Sequence, residues 1–161
     1  MVDEQTQHDR DRLRFNGESK SLEISMSGQN QAPTLTSHQY LLFGKVTVKV
    51  KAAKGSGLVT TVVLKSDSGD EIDWAVADGG KTKQEMLGAF ENQAQSNYYY
   101  NGQPLFNTYN TTYSLASSSF DEFHTYTVEW TDEFLRFSID GAERRTWRPG
   151  QARCVGSREF Q

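Results

Sequence analysis

The sequence predicts an all-β protein built as an antiparallel sandwich, and three observations carry that prediction. Short segments alternate apolar and polar residues with the period of a half-buried strand. Clusters of Gly, Asp and Ser separate them at turn spacing. No long amphipathic helical pattern interrupts the series.

The elements follow in chain order. Residues 1–20 are polar and include Asp9-Arg10-Asp11-Arg12, so they are expected to be a peripheral segment. Leu22, Ile24 and Met26 then alternate with Glu23, Ser25 and Ser27. From Gly44 to Lys51, Val46, Val48 and Val50 point one way and Lys45, Lys49 and Lys51 the other. Gly55-Ser56-Gly57 marks a turn, and Leu58 to Leu64 reads as a buried strand rich in β-branched residues. Ser66-Asp67-Ser68-Gly69 turns the chain into Asp70-Glu71-Ile72-Asp73-Trp74, a further strand. Thr125–Trp130 and Phe134–Ile139 alternate around Thr131-Asp132-Glu133, and Asp140-Gly141 makes the next turn. Trp130 and Phe137 are expected in the core. Two segments fit the pattern badly: Ala75–Gln84, which is polar and Gly-containing, and the tail from Arg153, which shows no period.

Composition narrows the function. The 161 residues suffice for one domain with a core, and 35% hydrophobic with 24% charged residues is ordinary for a globular protein. A net charge of -4, with no basic cluster, argues against nucleic acid as a partner. A mean hydropathy of -0.70 and the lack of a long apolar run argue against a membrane span. Met1 leads straight into Val2-Asp3-Glu4-Gln5, where no signal-peptide pattern is visible. Cys154 is the single cysteine, so an internal disulfide is excluded. No His/Cys cluster has zinc spacing, and no Gly-rich loop joins a strand to a helix. Neither a metal nor another cofactor is expected.

The chemistry points to one strand. Glu71 and Asp73 stand two residues apart, and on a strand such residues share a face. Two adjacent carboxylates do not both ionise cheaply, so their affinities for a proton separate. Retaining glycosidases need a carboxylate nucleophile and a carboxylic acid about 5–5.5 Å apart. A Glu-x-Asp-x-Glu strand supplies the first Glu as nucleophile, the Asp as its partner and the last Glu as acid/base. The plain alternative for Glu-x-Asp alone is an acidic face in solvent. Trp74, of opposite parity, is expected in the core.

Asp70-Glu71-Ile72-Asp73-Trp74, following a buried strand and a Ser/Gly turn, resembles the catalytic strand of glycoside hydrolase family 16. Tyr40–Val46, Gln95-Ser96-Asn97-Tyr98, Phe123–Trp130, Ser138–Gly141 and Arg145-Thr146-Trp147 resemble the fungal Crh branch of that family, in the same order. The resemblance runs from about residue 32 to residue 151. It implies a concanavalin-like β-jelly-roll sandwich and retaining cleavage or transfer at β-glycosidic bonds, with chitin and β-glucan of the fungal cell wall as polysaccharide partners. It also implies a secreted or cell-wall location. By the same resemblance, Glu71 is the nucleophile and Asp73 its orienting partner. Gln95, Asn97 and Tyr98 would lie on a neighbouring strand at the donor sugar, with His124 near the cleft; separately, Trp147-Arg148-Pro149 could close over an acceptor sugar. A satisfied histidine at a strand edge is the plain alternative for His124. Asn110-Thr111-Thr112 fits an N-glycosylation acceptor, relevant only to a secreted chain.

One departure matters. The family pattern places Glu directly after the Trp, where this chain has Ala75. Glu85-Met86-Leu87-Gly88 continues the pattern ten residues further on, so 75–84 reads as an insertion such as a translated intron would leave. If the segment loops out, Glu85 can take the acid/base position. If it stays in register, the sheet places Ala75 there. The odd offset of Asp78 from Glu71 turns it to the other face unless a bulge intervenes.

The expected organisation is a polar segment 1–20, a partial sandwich 21–152 and an atypical tail 153–161, incomplete at the C-terminal end relative to the family. The expected function is a retaining glycosidase or transglycosylase, impaired if no acid reaches the site. The alternatives are a non-catalytic sugar-binding sandwich and a defective product that does not fold stably.

Overall fold

The computed structural model describes residues 12–28, 31–55, 58–77, 92–99 and 111–149. The chain divides into two compact units, Met1–Leu41 and Leu42–Gln161. In the first, β1 (Leu13–Asn16) pairs antiparallel with β2 (Ser21–Ile24). Asn16 Oδ1 accepts the backbone N–H groups of Glu18 and Ser19 at 3.1 and 3.2 Å and so organises the turn. Lys20 completes the turn with a φ of 55°. The boundary expected after residue 20 falls within this hairpin.

Among the described residues, the second unit is a sandwich of two four-stranded antiparallel sheets. Its strands are β3 (Gly44–Val50), β4 (Val59–Lys65), β5 (Glu71–Ala77), β6 (Gln93–Tyr99), β7 (Thr111–Ser114), β8 (His124–Trp130), β9 (Leu135–Ile139) and β10 (Ala142–Trp147). One sheet has the order β10-β9-β8-β3 and the other β4-β5-β6-β7. The turns use the residues expected of them. Gly69, at a φ of 88°, closes the β4–β5 turn by donating to the Ser66 carbonyl. Asp140 and Gly141, at φ values of 51° and 79°, form the two-residue β9–β10 hairpin. Positive φ at both central positions gives that turn a twist matching its strands.

Alternation decides what is buried. Ile72 and Trp74 of β5 and Ala94, Ser96 and Tyr98 of β6 face Tyr126 and Val128 of β8 and Phe137 and Ile139 of β9. Trp74 holds the centre. Its ring lies 5.3–5.7 Å, centroid to centroid, from Tyr113, Tyr126 and Phe137. Its indole N–H donates to the Thr127 carbonyl at 3.0 Å, tying one sheet to the other. Trp130 packs against the same core.

Three differences from the sequence expectations have physical causes. β5 does not stop at Trp74. Ala75, Val76 and Ala77 continue it in register with Thr61, Thr60 and Val59 of β4. The β-branched partner strand extends the ladder into what composition marked as irregular. β4 is buried on one face only: Val62 and Leu64 pack inward, while Val59 and Val63 are 40% and 41% exposed. Among the described residues it stands at the end of its sheet, with Val59 and Val63 on its exposed face. β7 and β10 are too short or too charged to announce themselves, and pairing with β6 and β9 defines them. The 78–84 segment and the 153–161 tail lie outside the described residues.

Trp74→Ala is expected to lower the unfolding free energy by about 3–5 kcal/mol in urea titrations. Trp74→Phe is expected to cost about 1–3 kcal/mol, because the buried Thr127 carbonyl loses its donor. Equal losses for the two variants would show that the indole hydrogen bond adds nothing.

Candidate active site

The outward face of the β4-β5-β6 sheet carries the carboxylates. Since Ile72 and Trp74 are committed to the core, Glu71, Asp73 and Ala75 point to the other side. The ladder sets three rows across that face. Lys65, Glu71 and Tyr99 form the first, Val63, Asp73 and Asn97 the second, and Thr61, Ala75 and Gln95 the third. Thr112 extends the third row onto β7, where its Oγ1 accepts from Gln95 Nε2 at 3.1 Å.

The two carboxylates have unlike surroundings. Glu71 makes an ion pair with Lys65 across the strands, and its side chain keeps 24% exposure. Asp73 is more deeply placed. Burial, and secondarily the charge of Glu71, push its carboxyl from an ordinary value of 3.8 up to about 7. Among the described residues its Oδ2 has no hydrogen-bond partner. The same holds for Oδ1 of Asn97, its neighbour in register. A buried acceptor left unpaired is costly, and protonating Asp73 removes that cost by converting an acceptor into a donor. Tyr99 flanks the pair. Burial and the charges of Asp73 and Glu71 raise its hydroxyl, while a hydrogen bond from the Asn97 side chain acts in the opposite direction.

The sequence-predicted site residues divide into two groups. Glu71, Asp73, Gln95 and Asn97 share this face. Tyr98, expected at the donor sugar, does not share it. It is 2% exposed, turned into the core, and meets the Trp147 ring edge-on at 5.9 Å. Tyr99 takes the place on the carboxylate face. The parity that pairs Gln95 with Asn97 already implied residue 99 and not 98. Trp147 belongs to the other sheet, half-buried between Tyr98 and the Arg145 guanidinium 4.0 Å from its ring.

His124 is also placed elsewhere: it opens β8, buried, with Nδ1 2.7 Å from Asp140 Oδ2 and Nε2 3.3 Å from Ser117 Oγ. Asp140 feels partial burial, which acts upward. Hydrogen bonds from His124 and the Thr125 N–H nevertheless hold its carboxyl below the usual range. This cluster ties the β9–β10 turn to the start of β8. Glu85 lies outside the described residues. Ala75 is 5% exposed and occupies the third row in register, the position that the family pattern gives to Glu. Among the described residues, no group of three or more His, Cys, Asp or Glu side chains is placed to hold a metal. Likewise, no helix there is long and apolar enough to cross a membrane.

A sandwich with paired carboxylates on one outward face defines a class, and comparison with known proteins names it. Residues 2–157 match glycosyl hydrolases family 16, and the chain belongs to that family. Within it the similarity is to the fungal Crh branch. Crh-like protein 5 of Aspergillus fumigatus is 40% identical over 125 residues, covering 77% of this chain and 29% of that protein. A Crh-like protein of Arthroderma benhamiae is 41% identical over 131 residues, covering 81% and 26%. The chain thus spans about three tenths of the length of these relatives. The structure of an apo Crh5 transglycosylase superposes with a TM-score of 0.57 and 38% identity, over 68% of this chain and 40% of that one. A β-glucanase of Bacillus licheniformis, 19% identical, gives a TM-score of 0.66 over 86% of this chain and 63% of its own, a likeness of fold.

The raised carboxyl makes a stability prediction. Asp73 holds a proton in the folded chain between about pH 4 and pH 7 that the unfolded chain releases. The stabilisation from that proton is complete below about pH 4 and is lost as pH rises through about 7. Urea unfolding of the wild type and Asp73→Asn is expected to show the wild type losing on the order of 2–4 kcal/mol relative to the variant across that window. Parallel pH profiles would mean that Asp73 titrates as an ordinary carboxylate.

Proposed function

We propose that the chain acts on β-glycosidic bonds of cell-wall polysaccharide, β-glucan or chitin, by retaining chemistry that ends in transfer or hydrolysis. The observation that carries this reading is the pair Glu71 and Asp73, side by side on one outward face, Glu71 paired with Lys65 and the Asp73 carboxyl pushed up to about 7 by burial. Glu71, held by Lys65, is the nucleophile that attacks the anomeric carbon. Asp73 sits beside it as the partner that orients it. Gln95 and Asn97 offer amide groups to sugar hydroxyls along the adjoining strand, and the Tyr99 ring edges the first row. An acceptor sugar hydroxyl gives transglycosylation and water gives hydrolysis. A role for Glu85 as acid/base belongs to the same reading. The substrates follow from the Crh relatives, and a secreted or cell-wall address follows with them.

A second reading has its own observation. Ala75 stands in register where the family pattern has its acid, and a methyl group gives no proton. On that reading the face binds a glucan or chitin chain without turning it over.

Incubation with β-glucan and a fluorescent chitin oligosaccharide tests both. Labelled polymer is expected from the wild type, and Glu71→Gln is expected to reduce its formation at least 10³-fold, as loss of a covalent nucleophile does. Saturable binding with no labelled product would select the second reading. Product that persists in Glu71→Gln would remove the nucleophile assignment.

A further inference from the structure

We infer that the end of β3 and the start of β8 form a second binding site, which takes a phosphate-bearing sugar polymer. Its residues are Lys49, Lys51 and Phe123, on the outer face of the sheet that does not carry the carboxylates. The inference stands apart from the retaining reading above, because it uses no residue of the carboxylate face.

Register places the three side chains. The ladder between β3 and β8 ends with Val50 opposite His124, and Lys49 lies opposite Thr125. His124 and Tyr126 turn inward, and Val50 packs against the core. Alternation therefore sends Lys49, Lys51 and Phe123 to the outer face, with Lys51 and Phe123 side by side just past the ladder. Phe123 is 49% exposed. The Nζ atoms of Lys49 and Lys51 stand 5.8 and 5.6 Å from its ring centre.

Charge supplies the second argument. Attraction to one ring gathers two ammonium groups that repel each other. Among the described residues neither lysine belongs to an ion pair. The acids around them are engaged elsewhere. Glu129, opposite Lys45, is held by Arg136. Asp140 takes His124 and the Thr125 N–H, and Glu122 accepts from Ser117. Asp121, in the turn before Phe123, is in no ion pair among the described residues. In a chain of net charge -4, this corner keeps two uncompensated cations. An anion between them would relieve their repulsion and gain two ion pairs.

The side chains select the ligand. An ammonium is a point charge that meets phosphate oxygens from many directions, whereas a planar carboxylate is matched by the guanidinium fork. Phe123 adds an apolar surface beside the charges, suited to the apolar face of a sugar ring. Phosphate alone would leave that ring unused, and a neutral glucan would leave both cations unused. A sugar polymer that bears phosphate uses all three. Held there, it would leave the Glu71 face open to a second polymer.

Affinity electrophoresis of the full chain tests the site, in gels containing phosphorylated β-glucan, unmodified β-glucan or polyphosphate. Wild type is expected to bind the phosphorylated glucan at least about tenfold more tightly than the unmodified polymer. The double variant Lys49→Gln, Lys51→Gln is expected to lose that preference. Phe123→Ala is expected to weaken binding of phosphorylated glucan about 3–10-fold and to leave polyphosphate binding unchanged. Lys45→Gln, on the same strand but opposite Glu129, is expected to change binding by less than about twofold. These side chains are exposed, and unfolding temperatures equal to wild type confirm that the variants fold. Equal wild-type binding to both glucans would overturn the inference, as would a preference that survives loss of both lysines. Polyphosphate, single-stranded DNA or phosphatidylserine vesicles bound as tightly as phosphorylated glucan, with no effect of Phe123→Ala, would make the corner a general polyanion surface and overturn the sugar assignment.

Discussion

The position of Trp74 between the sheets constrains everything else in the sandwich. Its ring is enclosed by aromatic side chains from β7, β8 and β9, and its N–H is committed to a carbonyl of the opposite sheet. A one-residue slip of β5 would pull this large group into solvent and drive Glu71 and Asp73 into the core. Neither change is tolerable, so the residue between the carboxylates and the rest of the strand fixes which way both carboxylates face. Packing on one side of β5 thus determines the chemistry on the other, with no contact between them.

The same strand explains how one face holds two carboxylates in different surroundings. Lys65 reaches Glu71 from the neighbouring strand, one row from Asp73. The position opposite Asp73 on β4 carries no charge. Val63 occupies that position, and a branched apolar side chain neither solvates nor neutralises an anion. The difference between the carboxylates is therefore written in β4 as much as in β5.

What the sequence revealed followed from period two. Alternation in β3, β8 and β9 placed those strands, and the parity of Trp74 against Glu71 and Asp73 separated core from site. Pairing was less accessible. Tyr98 and Tyr99 are adjacent and chemically alike, and the ladder between β5 and β6 decides which one borders the carboxylates. Ala75–Ala77 looked irregular because their strand character comes from β4, whose Val59–Thr61 lie sixteen residues earlier. His124 finds Asp140 sixteen residues on and Ser117 seven back, partners that no local pattern announces. β1, β7 and β10 are short or charged, and strands of that kind exist through their neighbours.

The ion pair on β4 has a further bearing, on association between molecules. Among the described residues β4 is the end strand of its sheet, and it presents Val59 and Val63 outward beside Lys65. A lysine on such an edge ordinarily repels a second strand. Here Lys65 is paired with Glu71, so one contact both holds a carboxylate on the sheet face and offsets the edge charge. A change at Glu71 therefore alters the charge that β4 presents beside Val59 and Val63.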